Sequence, residues 1–593
     1  MANNMPVARQ TPLVVVYDAA RSRWLSFTNP RELVVARRLE EVLPGLARVE
    51  AAVATQGLYA AGFVSYEAAP AFDPALSVKA DSAFPLLWFG LYPEPEEIAL
   101  PHPATKPAGE LVWQSSIAPE EYRSRLLAIK ELIGAGDTYQ VNFTYRLHAL
   151  LNTDPWELFL RLVAAQESAY GAFVDTGDWA ICSASPELFF GLEADLLESR
   201  PMKGTAARGL WFEQDQQQAA ELRASEKDRA ENTMIVDMVR NDLGRICEPG
   251  SVKVPSLFTV EKYPTVWQMT SSVCGRSSAG LDRIFQGLFP PASITGAPKA
   301  RTMQIIAGLE SSPRRIYTGS IGFAAPGRRA QFNVAIRTVL VNKTQGSAEY
   351  GVGSGIVWDS DPEHEAQECR VKARVLRPPL PGFELLETIL WKPELGYFLL
   401  EHHLKRLGQS ADYFGFACNL AQVLDELRAT ALHLPPAPHR VRLLVAKDGS
   451  VAVEAQLLER AFGKPPSVTL AHSAVDSSDP FLYHKTTNRR IYQEALAACP
   501  GFADVLLYNQ KGEATESTIA NLVVDIGGAL YTPPVRSGLL TGVYRAWLLE
   551  QGRVGERVVT VDELLQSPRV FLANSVRGMY RVKLVIPKEG EAY

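Results

Sequence analysis

Cysteine is scarce in this chain, and the six present (Cys182, Cys247, Cys274, Cys369, Cys418 and Cys499) form no CxxC pair and no metal-ligand spacing with histidine. That excludes a disulfide scaffold or a cysteine zinc site and fits reduced thiols in the cytoplasm. Long apolar runs are also missing. None reaches the roughly 18 to 20 residues that a membrane span needs, so no membrane association is expected. Met1–Pro12 lacks an apolar core followed by a small-residue cleavage site, which argues against a secretory leader. There is no basic stripe either: the net charge is -6, with the two signs interspersed. Nucleic acid is therefore not an expected partner. No internal repeat and no low-complexity tract interrupts the chain.

What is present is ordinary globular material, 47% hydrophobic and 21% charged over 593 residues. That is too much chain for one hydrophobic core. The clearest break is Arg377–Gly382, where prolines end a helical pattern. It predicts two domains, 1–378 and 382–593. In the first, alternating apolar segments at Leu13–Tyr17, Tyr59–Tyr66 and Ala330–Asn342 predict strands, and Glu120–Ile133 and Asp228–Arg240 predict amphipathic helices. In the second, strands are expected at Glu384–Trp391, Arg440–Val445, Ala503–Tyr508 and Ala520–Asp525, with a helix at His403–Phe414. Both domains read as α/β or α+β. Pro93–Gly109 and Leu434–His439 read as surface loops.

Two carboxylate pairs stand out. Asp228 and Glu231 are three residues apart and share a helix face, with Met234, Ile235, Met238 and Val239 as the expected buried stripe. Glu365 and Glu368 repeat the spacing. Two such pairs could build an all-oxygen magnesium site, but acidic residues at this spacing also commonly face solvent. Spacing leaves both readings open.

Seven segments occur in order: GDTYQVNFTYR (Gly136–Arg146), SPELFF (Ser185–Phe190), SRPMKGTAARG (Ser199–Gly209), KDRAENTMIVDMVRNDLGRI (Lys227–Ile246), ASITGAPKARTMQII (Ala292–Ile306), IRT (Ile336–Thr338) and GVGSGIVWDSDPEHEAQE (Gly351–Glu368). Together they resemble the chorismate-utilising family, which includes anthranilate synthase component I, isochorismate synthase and aminodeoxychorismate synthase component I. The resemblance implies a mixed α/β sandwich, chorismate as substrate, and a magnesium site at Asp228, Glu231, Glu365 and Glu368.

Within that family the reaction depends on how the ring is attacked. Lys203 stands in SRPMKGT where anthranilate synthases typically carry a small residue. Its amine can attack C2 of chorismate as the C4 hydroxide leaves, after which ammonia adds at C4. Glu187 in SPELFF matches a family glutamate suited to protonate the departing hydroxyl. The resemblance also assigns Thr295, Gly296, Lys299, Arg337 and Gly353 to substrate binding, with Arg337 as a carboxylate fork. One departure is visible: Gln268 stands where many relatives carry histidine, and a glutamine cannot shuttle a proton. No glycine-framed glutaminase cysteine is present, so a separate glutamine amidotransferase is implied as the source of ammonia.

Beyond Pro381 the segments FELLETILW (Phe383–Trp391), EHHLKRL (Glu401–Leu407), YHKTTNRRIY (Tyr483–Tyr492), ATESTIANLVV (Ala514–Val524), YTPPVRSGLLTGVYR (Tyr531–Arg545) and ANSVRG (Ala573–Gly578) resemble fold type IV pyridoxal-phosphate enzymes. These include aminodeoxychorismate lyase, branched-chain aminotransferases and D-amino acid aminotransferases. The resemblance implies a cofactor-holding amine at Lys485 and a carboxylate for the pyridine nitrogen at Glu516. It implies a phosphate site of Arg406, the backbone amides of Val543 and Tyr544, and Ser575. Dimerisation through this half is a further expectation.

The two resemblances together imply amination of chorismate at C4, then loss of pyruvate to give 4-aminobenzoate for folate synthesis. Two other readings compete. One joins anthranilate synthase component I to an aminotransferase, against which Lys203 argues. The other makes the chain a non-catalytic scaffold for an amidotransferase, against which the set of reactive residues argues.

Overall fold

The computed structural model describes residues 14–103, 111–151, 153–378, 380–458 and 464–586. Met1–Pro12, Leu13 of the first expected strand, 104–109 of the first expected loop, and Pro379 lie outside the described residues. The chain forms two compact units. One comprises Met1–Arg208 and Gln218–Leu380, the other Gly209–Gln217 and Pro381–Tyr593.

The first unit holds two ten-stranded sheets. One runs from Gly296–Ala297 through Gln140–Leu150, Ser347–Ile356 and Thr338–Asn342 to Trp179–Ser185, Tyr170–Asp175 and Val14–Asp18. The other includes Met202–Ala207, Val266–Arg276, Leu196–Arg200, Leu188–Glu193, Arg329–Val334, Ser320–Ala325 and Tyr59–Val64. Val14, Val16 and Phe27 from the first sheet pack with Ala61, Phe63 and Phe323 from the second, so a buried apolar layer lies between the sheets. Helices cover the outer faces. Ile235 and Val239 of the helix Glu226–Gly244 pack with Phe189, Phe285 and Phe332, and Leu158 and Leu162 of the helix Pro155–Gln166 pack with Phe173 and Val339. The expected mixed α/β sandwich is observed.

Helix starts follow local chemistry. The Ser225 hydroxyl accepts the Asp228 amide and opens the helix Glu226–Gly244, while Asp361 accepts the amides of Glu363 and His364 and opens Pro362–Lys372. On the first of these helices Ile235 and Val239 are buried as expected, but Met234 and Met238 are only partly so, and Asn232 and Val236 complete the stripe. The expected strand Ala330–Asn342 is two strands, Arg329–Val334 and Thr338–Asn342, which belong to different sheets. The chain changes sheet at Arg337, whose φ is 53°. Apolar patterning alone does not reveal such a crossing, because it says which residues favour burial and not which sheet a strand joins.

In the second unit, Leu385–Lys392, His439–Val445, Val451–Leu457 and Gly396–Tyr397 form a four-stranded antiparallel sheet packed against the helices Leu400–Phe414 and Leu420–Ala431. An eight-stranded mixed sheet follows and closes on itself where Glu516 pairs with Asn521. The segment Gly209–Gln217 packs here: the Trp211 ring stacks on Tyr483 at 5.4 Å, and the Tyr413 hydroxyl donates to the Gly209 carbonyl at 2.8 Å. Among the described residues no helix is long and apolar enough to cross a membrane.

Candidate active sites

In the first unit a cavity lies at the edge of both sheets and is lined by Glu187, Lys203, Asp228, Glu231, Arg337, Gly353, Glu365 and Glu368. Residues far apart in the chain thus meet in one space. Asp228 and Glu231 come from the helix Glu226–Gly244, and Glu365 and Glu368 from Pro362–Lys372.

Lys203 reaches the cavity through a defect in its strand. Met202 pairs with Thr270 but Thr205 pairs with Gln268, so an extra residue bulges at Lys203–Gly204. Such bulges re-aim side chains. Gly204 adopts φ 97°, open to glycine at little cost. The Lys203 ammonium lies 3.5 Å from Glu231 Oε2. Gln268, expected to be chemically inert in proton transfer, lines the same cavity, and its amide donates to the Gly204 carbonyl at 2.8 Å.

Glu187 is buried and accepts hydrogen bonds from the Ser293 hydroxyl at 2.6 Å and the Met202 amide at 3.4 Å. Burial outweighs these contacts and pushes its carboxyl up to about 7. A carboxyl poised there holds a proton at neutral pH that it can give away.

The four carboxylates are interleaved with lysines, a feature that sequence reasoning missed. Lys372 pairs with Glu368 at 2.5 Å and donates to the Gly353 carbonyl at 3.0 Å; Lys227 lies 3.6 Å from Glu365 and 4.0 Å from Glu231. Burial pushes the Asp228 and Glu231 carboxyls up. Burial acts the same way on Glu368, but Lys372 outweighs it and holds that carboxyl below its ordinary value. Among the described residues no three acidic or other ligating side chains stand close enough to form a metal cluster. Magnesium commonly takes one or two protein carboxylates with waters and substrate oxygens, which is the donor type these side chains offer. The i,i+4 spacing of Glu368 and Lys372, and of Lys227 and Glu231, was the available signal for these pairs.

Three expected substrate contacts lie elsewhere. The buried Thr295 hydroxyl donates to the Pro291 carbonyl, and Gly296 pairs with Val141 at a sheet edge. Lys299 pairs with Asp242 at 3.0 Å. It is Ser293 and Ile294 of the same turn that reach the cavity. The strand pairing of Gly296 turns the residues after it away.

In the second unit Lys485 is half-buried. Desolvation, helped by Arg406 and Arg489, lowers its ammonium to about 8. Glu516 accepts hydrogen bonds from the Tyr492 hydroxyl at 2.8 Å, the Asn521 amide at 3.1 Å and the Leu540 backbone amide at 3.2 Å. Burial still pushes it up to about 7. Arg406 forks onto Glu387 at 2.9 and 2.6 Å and donates to the Thr541 carbonyl at 3.1 Å. His403 contacts the same carboxylate at 2.7 Å. Glu387 feels a burial penalty that Arg406 and His403 outweigh, so its carboxyl falls to about 2. The helix Val543–Glu550 begins two residues beyond Thr541, and its cap Gly542 offers no side-chain oxygen to the first amides. Those amides suit an anion. The Ser575 hydroxyl donates to the carbonyl of Thr388, the residue after Glu387, at 3.3 Å. A half-buried amine, a carboxylate in a polar cradle, an arginine and an open helix start are the donor set that pyridoxal phosphate requires.

Both halves of the chain match known protein families. Residues 13–378 match the family of chorismate binding enzymes, and the chain belongs to that family. Residues 384–585 match the class IV amino-transferases. Aminodeoxychorismate synthase component 1 of Salmonella typhimurium is 43% identical over 269 residues, 45% of this chain and 59% of that protein. Its Bacillus subtilis counterpart is 42% identical over 254 residues, 42% of this chain and 54% of that protein. The match thus spans little more than half of either relative. The crystal structure of anthranilate synthase component I from Streptococcus pneumoniae shares the fold, with a TM-score of 0.52 and 23% identity over 64% of this chain and 95% of that one.

Proposed function

We propose that the first unit aminates chorismate at C4 to 4-amino-4-deoxychorismate and that the second converts this product to 4-aminobenzoate, with loss of pyruvate, for folate synthesis. The observation that carries the first step is the meeting of Lys203 and Glu187 in one cavity with Arg337 and four carboxylates. Lys203, in its uncharged form, forms a bond to C2, both ring double bonds shift, and the C4–O bond breaks. Glu187 gives its proton to the leaving hydroxide, which departs as water. Ammonia then bonds to C4, both double bonds shift back, and the C2–N bond breaks to restore the lysine amine. The Glu187 carboxylate takes up the surplus proton. Magnesium, held by carboxylates among Asp228, Glu231, Glu365 and Glu368, would neutralise charge on the substrate's carboxylate and departing oxygen. Arg337 offers a guanidinium fork to the other carboxylate. The relatives' name, component 1, supports a separate glutamine amidotransferase as the ammonia source.

For the second step, the class IV amino-transferase match implies pyridoxal phosphate. The cofactor would supply an electron sink when bound. Arg406, the amides of Val543 and Tyr544, and Ser575 would hold its phosphate, and Glu516 its ring nitrogen. Lys485, lowered to about 8, is suited to remove the proton at C4 while enolpyruvate leaves C3 and the ring becomes aromatic. We place the protein in the cytoplasm, in keeping with six free thiols, and expect pairing with a second copy through the second unit.

The test is product identification from chorismate, ammonium and magnesium, with and without pyridoxal phosphate. The expected products are 4-aminobenzoate with the cofactor and 4-amino-4-deoxychorismate without it. An ortho-aminobenzoate product would overturn the reading in favour of an anthranilate-forming site.

A further inference from the structure

We propose that Gln268 is a positioning residue for Lys203, a clamp on the bulge that aims the lysine, and that it carries no proton. This rests on the reading of Lys203 as the amine that attacks the ring. The bulge has two residues to hold, and each is gripped from a different side. On one side the Gln268 amide donates to the Gly204 carbonyl at 2.8 Å, and the Gln268 carbonyl accepts the Thr205 hydroxyl at 3.1 Å. On the other, Asn232 donates to the Lys203 carbonyl at 3.3 Å and accepts the Ser271 hydroxyl at 2.6 Å. Both amide side chains are buried.

A bulge lacks the ladder bonds that fix a regular strand, so its residues take their conformation from other partners. One side chain that both donates and accepts, in one plane and at this reach, is a primary amide. A carboxylate of the same shape keeps the bond from Thr205 but turns an oxygen onto the Gly204 carbonyl. Imidazole sets its donor and acceptor on a rigid ring at different angles. Glutamine at this position therefore answers the geometry of the turn. Gly204 leaves no slack, since a β-carbon there would touch Asp228.

The experiment uses the full chain carrying Gln268→Glu, Gln268→Met or Lys203→Ala beside the unaltered protein. Four quantities are read: kcat and KM for chorismate with ammonium, the rate at which acetic anhydride labels Lys203 relative to Lys372 by peptide mass spectrometry, and the unfolding midpoint. The clamp predicts that kcat falls about 10- to 100-fold in both Gln268 variants while KM changes less than about threefold, as expected for misplacement of a reacting group. Lys203, freed to reach solvent, labels at least about threefold faster than in the unaltered protein, and the unfolding midpoint stays within about 4 °C. Unchanged kcat and labelling would reduce Gln268 to an ordinary cross-strand neighbour and overturn the proposal. A fall in kcat together with the unfolding midpoint would assign it a structural role, also against the clamp. Retained turnover in Gln268→Glu with a new acidic arm in its pH profile would make position 268 a proton carrier instead. If Lys203→Ala keeps its turnover, the attacking-amine reading fails on its own, and the labelling rate still decides whether Gln268 holds the lysine in place.

Discussion

Gly355 and Lys203 share one space: a β-carbon built on Gly355 falls on the Lys203 Nζ, with the Gln140 side chain next nearest. The glycine is therefore the floor on which the lysine ammonium rests. It belongs to the strand Ser347–Ile356, in the sheet opposite to the one that carries Lys203.

Gly355→Ala should displace Lys203 without unfolding the protein, because the atom that must yield is the far end of a flexible side chain. Stability should change by no more than about 1 kcal/mol, while amination falls by about 100-fold. Denaturant unfolding and chorismate consumption on the same preparation would check this; equal loss of both would show that the space is needed for packing and not for the lysine.

Amination should decline as pH rises through about 7, the value to which burial pushes Glu187. Only the protonated carboxyl can give a proton to the leaving hydroxide, so the active form lies on the acid side. Glu187→Gln should remove this limb and lower kcat by roughly 10²- to 10⁴-fold. A limb that survives the substitution would belong to another group.

Excess chelator should stop chorismate consumption, and added magnesium should restore it. One or two of these carboxylates would hold the cation, which would supply positive charge to the substrate's carboxylate and leaving oxygen. Undiminished turnover in chelator would mean that Asp228 holds no metal and that Glu231, Glu365 and Glu368 serve only their pairs with Lys203, Lys227 and Lys372.

Lys485→Ala should abolish release of 4-aminobenzoate while leaving magnesium-dependent amination near its normal rate. The expected sign is accumulation of 4-amino-4-deoxychorismate, followed by 4-aminobenzoate once a separate lyase is added. Normal 4-aminobenzoate formation by the variant would remove the lyase role from the second unit. Parallel collapse of amination in a folded variant would show that the two activities depend on one another.

Much of this was legible in the residues themselves. Helix starts at Ser225 and Asp361 are local events, set by a side-chain oxygen two or three residues from the amide it accepts. The reactive residue types, Lys203, Glu187, Lys485 and Glu516, stand inside ordered motifs, so their identity needed no coordinates. The alternation at Ala330–Asn342 was equally visible, yet it concealed a crossing between sheets at Arg337. Which residues meet was not legible. Lys299 sits in a motif beside Ser293, but only Ser293 faces the cavity, since Lys299 is held by Asp242. Glu387, the anion that grips Arg406, gives no local sign of that role, because its partner lies a helix away. The sequence by itself determined the chemistry available and the periodicity of each element, which depend on neighbours along the chain. Tertiary structure decided burial, and with it the proton affinities of Glu187 and Lys485, because desolvation depends on everything packed around a group, whatever its distance along the chain.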